Sequence, residues 1–228
     1  RRPKEFDKYD VKKIGILGAG LMGAGIAYVT AKAGIEVVLI DQDQENAEKG
    51  KDYSVKLLDK ALSRKKTTEE KKEKLLSLIT PTTDYGLLKG ADLIVEAVFE
   101  NRDIKAEVTA KAEEQITENA VFGSNTSTLP ISGLAQNSSR PDNFIGIHYF
   151  SPVEKMPLVE IIMGEKTSQE TLAKTMDYVQ KIKKTPIVVN DSRGFYTSRV
   201  FGTYTGEGVA MLAEGIKPAL IENAGKMT

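Results

Sequence analysis

The chain has 228 residues, with 32 Lys+Arg against 32 Asp+Glu, one histidine and no cysteine. That length suits one large domain or a domain with an appendage, and a net charge of zero gives no field to draw nucleic acid or an anionic membrane. Without cysteine, and with a lone histidine, neither a disulfide framework nor a metal site is expected; with no apolar run of about 18 residues and no signal-peptide pattern, a soluble cytoplasmic protein is.

The polar opening, residues 1–12, reads as a linker arm. KKIGILG at 12–18 is an apolar run ending in glycine, the pattern of a buried strand. A helix over 21–34 follows, closing on Gly34, and EVVLID at 36–41 is the second strand. Strand, glycine turn, helix and strand make a βαβ unit. Residues 43–79 predict two helices broken near Lys66–Thr68. Further strands are expected at 91–98, 120–125, 144–150, 158–164 and 186–190, with helices at 101–117 and 168–183. From Gly194 the pattern turns helical, with Val200, Phe201, Tyr204, Met211 and Leu212 on one stripe. The fold class is therefore α/β: a doubly wound, Rossmann-type, mainly parallel sheet over 13–191, followed by the start of an all-helical C-terminal domain over 192–228. The helical piece is expected to be truncated, since so few residues bury little core alone.

GAGLMG at 18–23 fits G-x-G-x-x-G, and its place between a strand and a helix is what gives the match weight. Gly18 allows the tight turn, Gly20 the approach of a pyrophosphate, and Gly23 close helix–strand packing. The amides of Leu21 and Met22 open the helix toward the phosphates. Asp41 ends the second strand where a carboxylate accepts the ribose hydroxyls and repels a 2′-phosphate. Gln42 follows it with no arginine nearby, so NAD is expected over NADP. A glycine turn without a ligand, and a flavin version, are the competing readings.

His148 lies in a strand, where an ordinary core imidazole is the plain alternative. Glu160 falls in the next apolar strand, on the side of Leu158 and Ile162. A carboxylate there needs a partner. If SPVEKMP brings the strands together, Glu160 orients His148 as a general base.

The segments VKKIGILGAGLMGAGIA, VVLIDQ, LIVEAVFENRDIK, FGSNTSTLPIS, GIHYFSPVEKMPLVEII and DSRGFYTSRV together resemble the L-3-hydroxyacyl-CoA dehydrogenase family. Within it they resemble the dehydrogenase part of the multifunctional fatty-acid oxidation complex α-subunit. The resemblance implies oxidation of an acyl-CoA thioester, with His148 as base and Glu160 as its carboxylate partner. It places Ser127 near the substrate hydroxyl, and Asn125, Glu100 and Lys105 along the ribose and nicotinamide of NAD. Caps, turns and a solvated ion pair are the plain alternatives for those four. Ser198 stands where relatives carry a substrate-facing Asn, Ser151 where many carry Asn, and Arg193 where Pro is usual. The resemblance also implies a homodimer or a complex with a thiolase subunit, and mitochondrial or peroxisomal placement in a eukaryote. Residues 49–74 hold ten Lys/Arg against five acids, either a solvated face or a site steering CoA phosphates. A stand-alone 3-hydroxybutyryl-CoA dehydrogenase and a non-catalytic dinucleotide-binding module are the rival readings.

Overall fold

The computed structural model describes residues 1–227. Strand β1 (Lys13–Leu17) leads through the glycine turn into α1 (Leu21–Lys32) and β2 (Glu36–Ile40). Two helices follow, α2 (Gln44–Ser63) and α3 (Glu69–Leu76), then β3 (Ile79–Thr82), β4 (Leu93–Glu96), α4 (Arg102–Glu113), β5 (Val121–Ser124) and a single turn, α5 (Ile131–Leu134). Strands β6 (Phe144–Tyr149) and β7 (Leu158–Met163) precede α6 (Gln169–Lys181) and β8 (Thr185–Asn190). Helices α7 (Thr197–Ala213) and α8 (Pro218–Met227) complete the described chain.

All eight strands join one sheet in the order β3-β2-β1-β4-β5-β6-β7-β8. Only the β6–β7 pair is antiparallel. Alternation along each strand sends side chains to two cores. Ile14, Ile16, Leu39, Val95, Ile147 and Ile161 meet α1 and α6 on one face. Leu17, Ile40, Ile94, Phe122 and Ile162 meet α4, α5 and Phe195 on the other. Each such buried side chain contributes about 1.5–3 kcal/mol, so the sheet is the rigid frame on which the site is mounted.

The sequence pattern missed β3. ITPT carries two threonines and a proline, so it lacks an apolar run. Pro81 is tolerated because β3 lies at the sheet's edge, where no further strand needs its missing N–H. The arm at 1–10 is docked rather than trailing. Arg2 grips Asp177 of α6 through two hydrogen bonds of 2.7 and 2.9 Å and also donates to the carbonyls of Pro3, Phe6 and Asp7. The Tyr9 amide binds the same Asp177 at 2.8 Å. The apolar stripe on α7 is present as expected, but neither α7 nor α8 buries a residue.

Candidate active site

Parallel pairing aligns Leu17 with Glu96, Glu96 with Ser124, and Ser124 with Gly146. The residues just beyond these positions, Gly18, Ala97, Asn125 and Ile147–His148, therefore share one rim, the carboxyl ends of β1, β4, β5 and β6. The order reverses between β1 and β4, so this rim holds the crevice where doubly wound sheets bind ligands.

The three glycines of the turn are required for different reasons. Gly18 has φ +95°, and a Cβ there would lie 2.6 Å from the Ala97 carbonyl oxygen. A Cβ on Gly23 would lie 1.7 Å from the Gly18 carbonyl oxygen, a backbone clash that admits no side chain. Gly20 is different: its φ of −64° suits any residue, and no protein atom lies within 4 Å of a Cβ built there. The protein alone gives no reason for glycine at that position; a pyrophosphate lying against the backbone does. No side chain caps α1 and no acid sits in its first turn, which leaves its leading amides, Leu21 and Met22 among them, for an anion. Leu21 is exposed and Met22 half-buried. Asp41 accepts the Ala19 amide at 2.7 Å and the Gln42 amide at 2.7 Å. It thus ties the second strand's end to the turn, and each oxygen retains a lone pair for a hydroxyl. These residues fit NAD.

Glu100 and Lys105 come together, but around a residue that the sequence reading passed over. Glu96, 1% exposed, accepts Lys105 Nζ at 2.8 and 3.0 Å, the Ser124 hydroxyl at 2.7 Å and the Val98 amide at 2.8 Å. Lys105 also reaches Glu100 at 3.1 Å. Glu100 in turn accepts the Thr126 hydroxyl and the Ser127 amide. Burial works to raise the Glu100 carboxyl, but Thr126 and Lys105 outweigh it and hold it below the usual range. Lys105 is itself 2% exposed, so its ammonium braces carboxylates instead of opening to the rim. The missed signal was a carboxylate inside the apolar run LIVEAV, the same feature that had marked Glu160. Asn125 bridges strands, its side-chain oxygen accepting the Tyr149 amide at 2.9 Å. Ser127 is exposed, and its hydroxyl has no protein partner among the described residues.

His148 and Glu160 are cross-strand neighbours in the antiparallel pair. Such neighbours point to the same face, and His148 Nδ1 lies 2.8 Å from Glu160 Oε2. An ionised carboxylate only accepts, so Nδ1 donates and Nε2 keeps its lone pair. The imidazole is 7% exposed, with Phe150 and Phe195 rings 4.6 and 6.0 Å from its centre. Burial works to raise the Glu160 carboxyl, but hydrogen bonds from His148 and from the amide and hydroxyl of Thr197 hold it below its ordinary value. Thr197 is the contact that sequence reasoning did not anticipate. Ser198, the next residue, is exposed and makes no bond to the pair.

Strand order and switch point define the class: a dinucleotide-binding α/β domain. Residues 13–192 match the family model "3-hydroxyacyl-CoA dehydrogenase, NAD binding domain", and the chain belongs to that family, whose cofactor is NAD. A fatty acid oxidation complex subunit alpha from Shewanella amazonensis is 48% identical over 206 residues, 90% of this chain and 29% of that protein. This chain thus spans under a third of the curated relatives it matches. Among solved structures, an (S)-3-hydroxybutyryl-CoA dehydrogenase from Ralstonia eutropha has TM-score 0.88 at 37% identity, covering 91% of this chain and 74% of that one. The dehydrogenase part of a multifunctional enzyme from C. elegans has TM-score 0.75 at 31% identity, covering 90% and 46%. No helix among the described residues is long and apolar enough to cross a membrane.

Proposed function

We propose that this chain is the dehydrogenase portion of a multifunctional fatty-acid oxidation protein, converting (S)-3-hydroxyacyl-CoA and NAD⁺ to 3-oxoacyl-CoA, NADH and a proton. The observation that carries the reading is the 2.8 Å bond between His148 and Glu160 on the rim that begins at the glycine turn. NAD, when bound, supplies the hydride acceptor. Gly18, Gly20, Gly23, Leu21, Met22, Asp41 and Gln42 hold its pyrophosphate and ribose. Asn125 and Glu100 line its nicotinamide side, with Lys105 acting through Glu100.

In this reading His148 takes the substrate hydroxyl proton at Nε2, and Glu160 stabilises the imidazolium through Nδ1. Ser127 hydrogen-bonds the same hydroxyl, and Ser198 faces the acyl group. Among the ten basic residues of 49–74, Lys49 and Lys72 alone form ion pairs among the described residues. The rest are free to steer the phosphates of CoA. Residues 1–12 are the arm from a preceding domain, 13–191 the cofactor domain, and 192–228 the beginning of a helical domain. The whole protein works as a homodimer or with a thiolase subunit, in the cytoplasm of a bacterium. The higher identity to the oxidation-complex relatives, 48% against 37% for the 3-hydroxybutyryl-CoA dehydrogenase, favours the multifunctional reading.

The test is loss of NADH absorbance with acetoacetyl-CoA. His148→Gln lowers turnover by about 10²–10⁴ and leaves NAD affinity within a few-fold. An equal loss of NAD affinity would instead make His148 a structural residue.

A further inference from the structure

Glu160 has more partners than orienting an imidazole requires. Its Oε2 accepts His148 Nδ1 and also the Thr197 hydroxyl, each at 2.8 Å. Its Oε1 accepts the amides of Tyr196 at 3.1 Å and Thr197 at 2.9 Å. Three of these four bonds therefore come from two residues where α7 begins.

The same contact solves a problem for α7. The helix has no side-chain cap of its own and no acid in its first turn. Asp43, Asn101 and Ser168 cap α2, α4 and α6 locally; for α7 the carboxylate comes from β7, 36 and 37 residues earlier. A negative charge at that end is favoured by the unpaired amides and the helix dipole. Beyond this cap and the buried Phe195, α7 buries nothing, and an open cavity lined by Val188, Val189, Tyr196, Arg199 and Val200 separates it from β8.

We propose that Thr197 is a positioning residue for the His148–Glu160 pair, and that the pair's geometry depends on how the start of α7 is seated. A glutamate side chain has several rotatable bonds, so a carboxylate held by His148 alone would pivot about that single bond. The Thr197 hydroxyl and amide, on different oxygens, fix the carboxylate plane and keep Oε2 on Nδ1. Ser198, one residue on, cannot substitute while it remains outside this contact. The consequence for turnover rests on the functional reading above; the effect on the imidazole does not.

The chain's single histidine makes the test specific, because proton NMR of the 228-residue protein reports one imidazole. Thr197→Val keeps the side-chain shape and deletes the hydroxyl. Exchange of the His148 Nδ1 proton with water should quicken by about tenfold, the lower end of the effect of one hydrogen bond to a charged group. Turnover of acetoacetyl-CoA should fall by a similar factor with KM for NADH unchanged, and Thr197→Ser should restore both. Thr197→Ala, a second deletion of the hydroxyl, should repeat the exchange result. Wild-type exchange in folded Thr197→Val and Thr197→Ala overturns the proposal. So does a Thr197→Ser protein that behaves like Thr197→Val, since keeping the hydroxyl would then not preserve the geometry of the pair. Absence of turnover in the full-length wild-type protein removes the functional reading, and imidazole exchange still decides the role of Thr197.

Discussion

Leu39 in β2, within a continuous apolar run, and Phe201 in α7, on a helical stripe, are both large apolar residues. Leu39 is fully buried between β2's neighbours and α1; Phe201 is 65% exposed, and Tyr204 and Leu212 beside it are 56% and 50% exposed. The second strand and the helix α7 both carried apolar patterns legible in sequence. What separates them is whether another surface lies opposite. An amphipathic stripe states which side of an element favours burial, while the free energy arises only when that side loses water. The two regions meet at one polar junction, the Glu160 carboxylate beneath the first turn of α7.

The largest contrast is in stability. Leu39→Ala should cost about 2–5 kcal/mol in urea unfolding, whereas Phe201→Ala should stay within about 0.5 kcal/mol. Comparable costs would break the comparison and show that α7 is covered in solution.

A second contrast lies within the sheet region and separates fold from ligand. Gly20→Ala meets no protein atom, so it should cost about 1 kcal/mol or less in stability. It should nonetheless weaken NAD binding by about tenfold, or 1.4 kcal/mol, read by calorimetry. Unchanged affinity would show that the cofactor does not approach the turn.

The smallest effect sharpens the junction itself. The Glu160 carboxyl is held below its ordinary value, with burial opposing and the hydrogen bonds of His148 and Thr197 prevailing. A depressed folded value means that the contribution is fully present above the unfolded value of about 4.3 and is lost as pH falls through the folded one. Hydrogen exchange should therefore show the Tyr196 and Thr197 amides losing protection in acid before the amides of β2 do. Simultaneous loss in both places would mean that α7 is not seated independently of the sheet.

Much of the site could be read before any coordinates. Gly18, Gly20 and Gly23 were legible because their spacing sits between a strand and a helix, and Asp41 because it closes the next strand. Glu160 was legible because an acid in an apolar run must have a partner. Glu96 obeys the same logic and was missed, since its strand was read for hydrophobicity alone. β3 was missed because an edge strand need not carry an apolar run. The docking of the arm on Asp177 and the cap that Glu160 gives α7 join residues 175 and 37 apart in sequence; no local pattern announces such contacts.

Periodicity and turn chemistry, both local properties of the chain, thus marked the strands and helices other than β3, the dinucleotide turn and an acid in an apolar strand that needed a partner, while the roles of the histidine and that acid came from the family resemblance. Tertiary structure decided what those residues touch: that β6 and β7 run antiparallel in a register opposing His148 to Glu160, that Lys105 braces two carboxylates, and that Thr197 rather than Ser198 reaches the pair. The physical reason is that hydrogen bonds and burial depend on which distant surfaces meet, and that is settled only when the sheet has closed around its two cores.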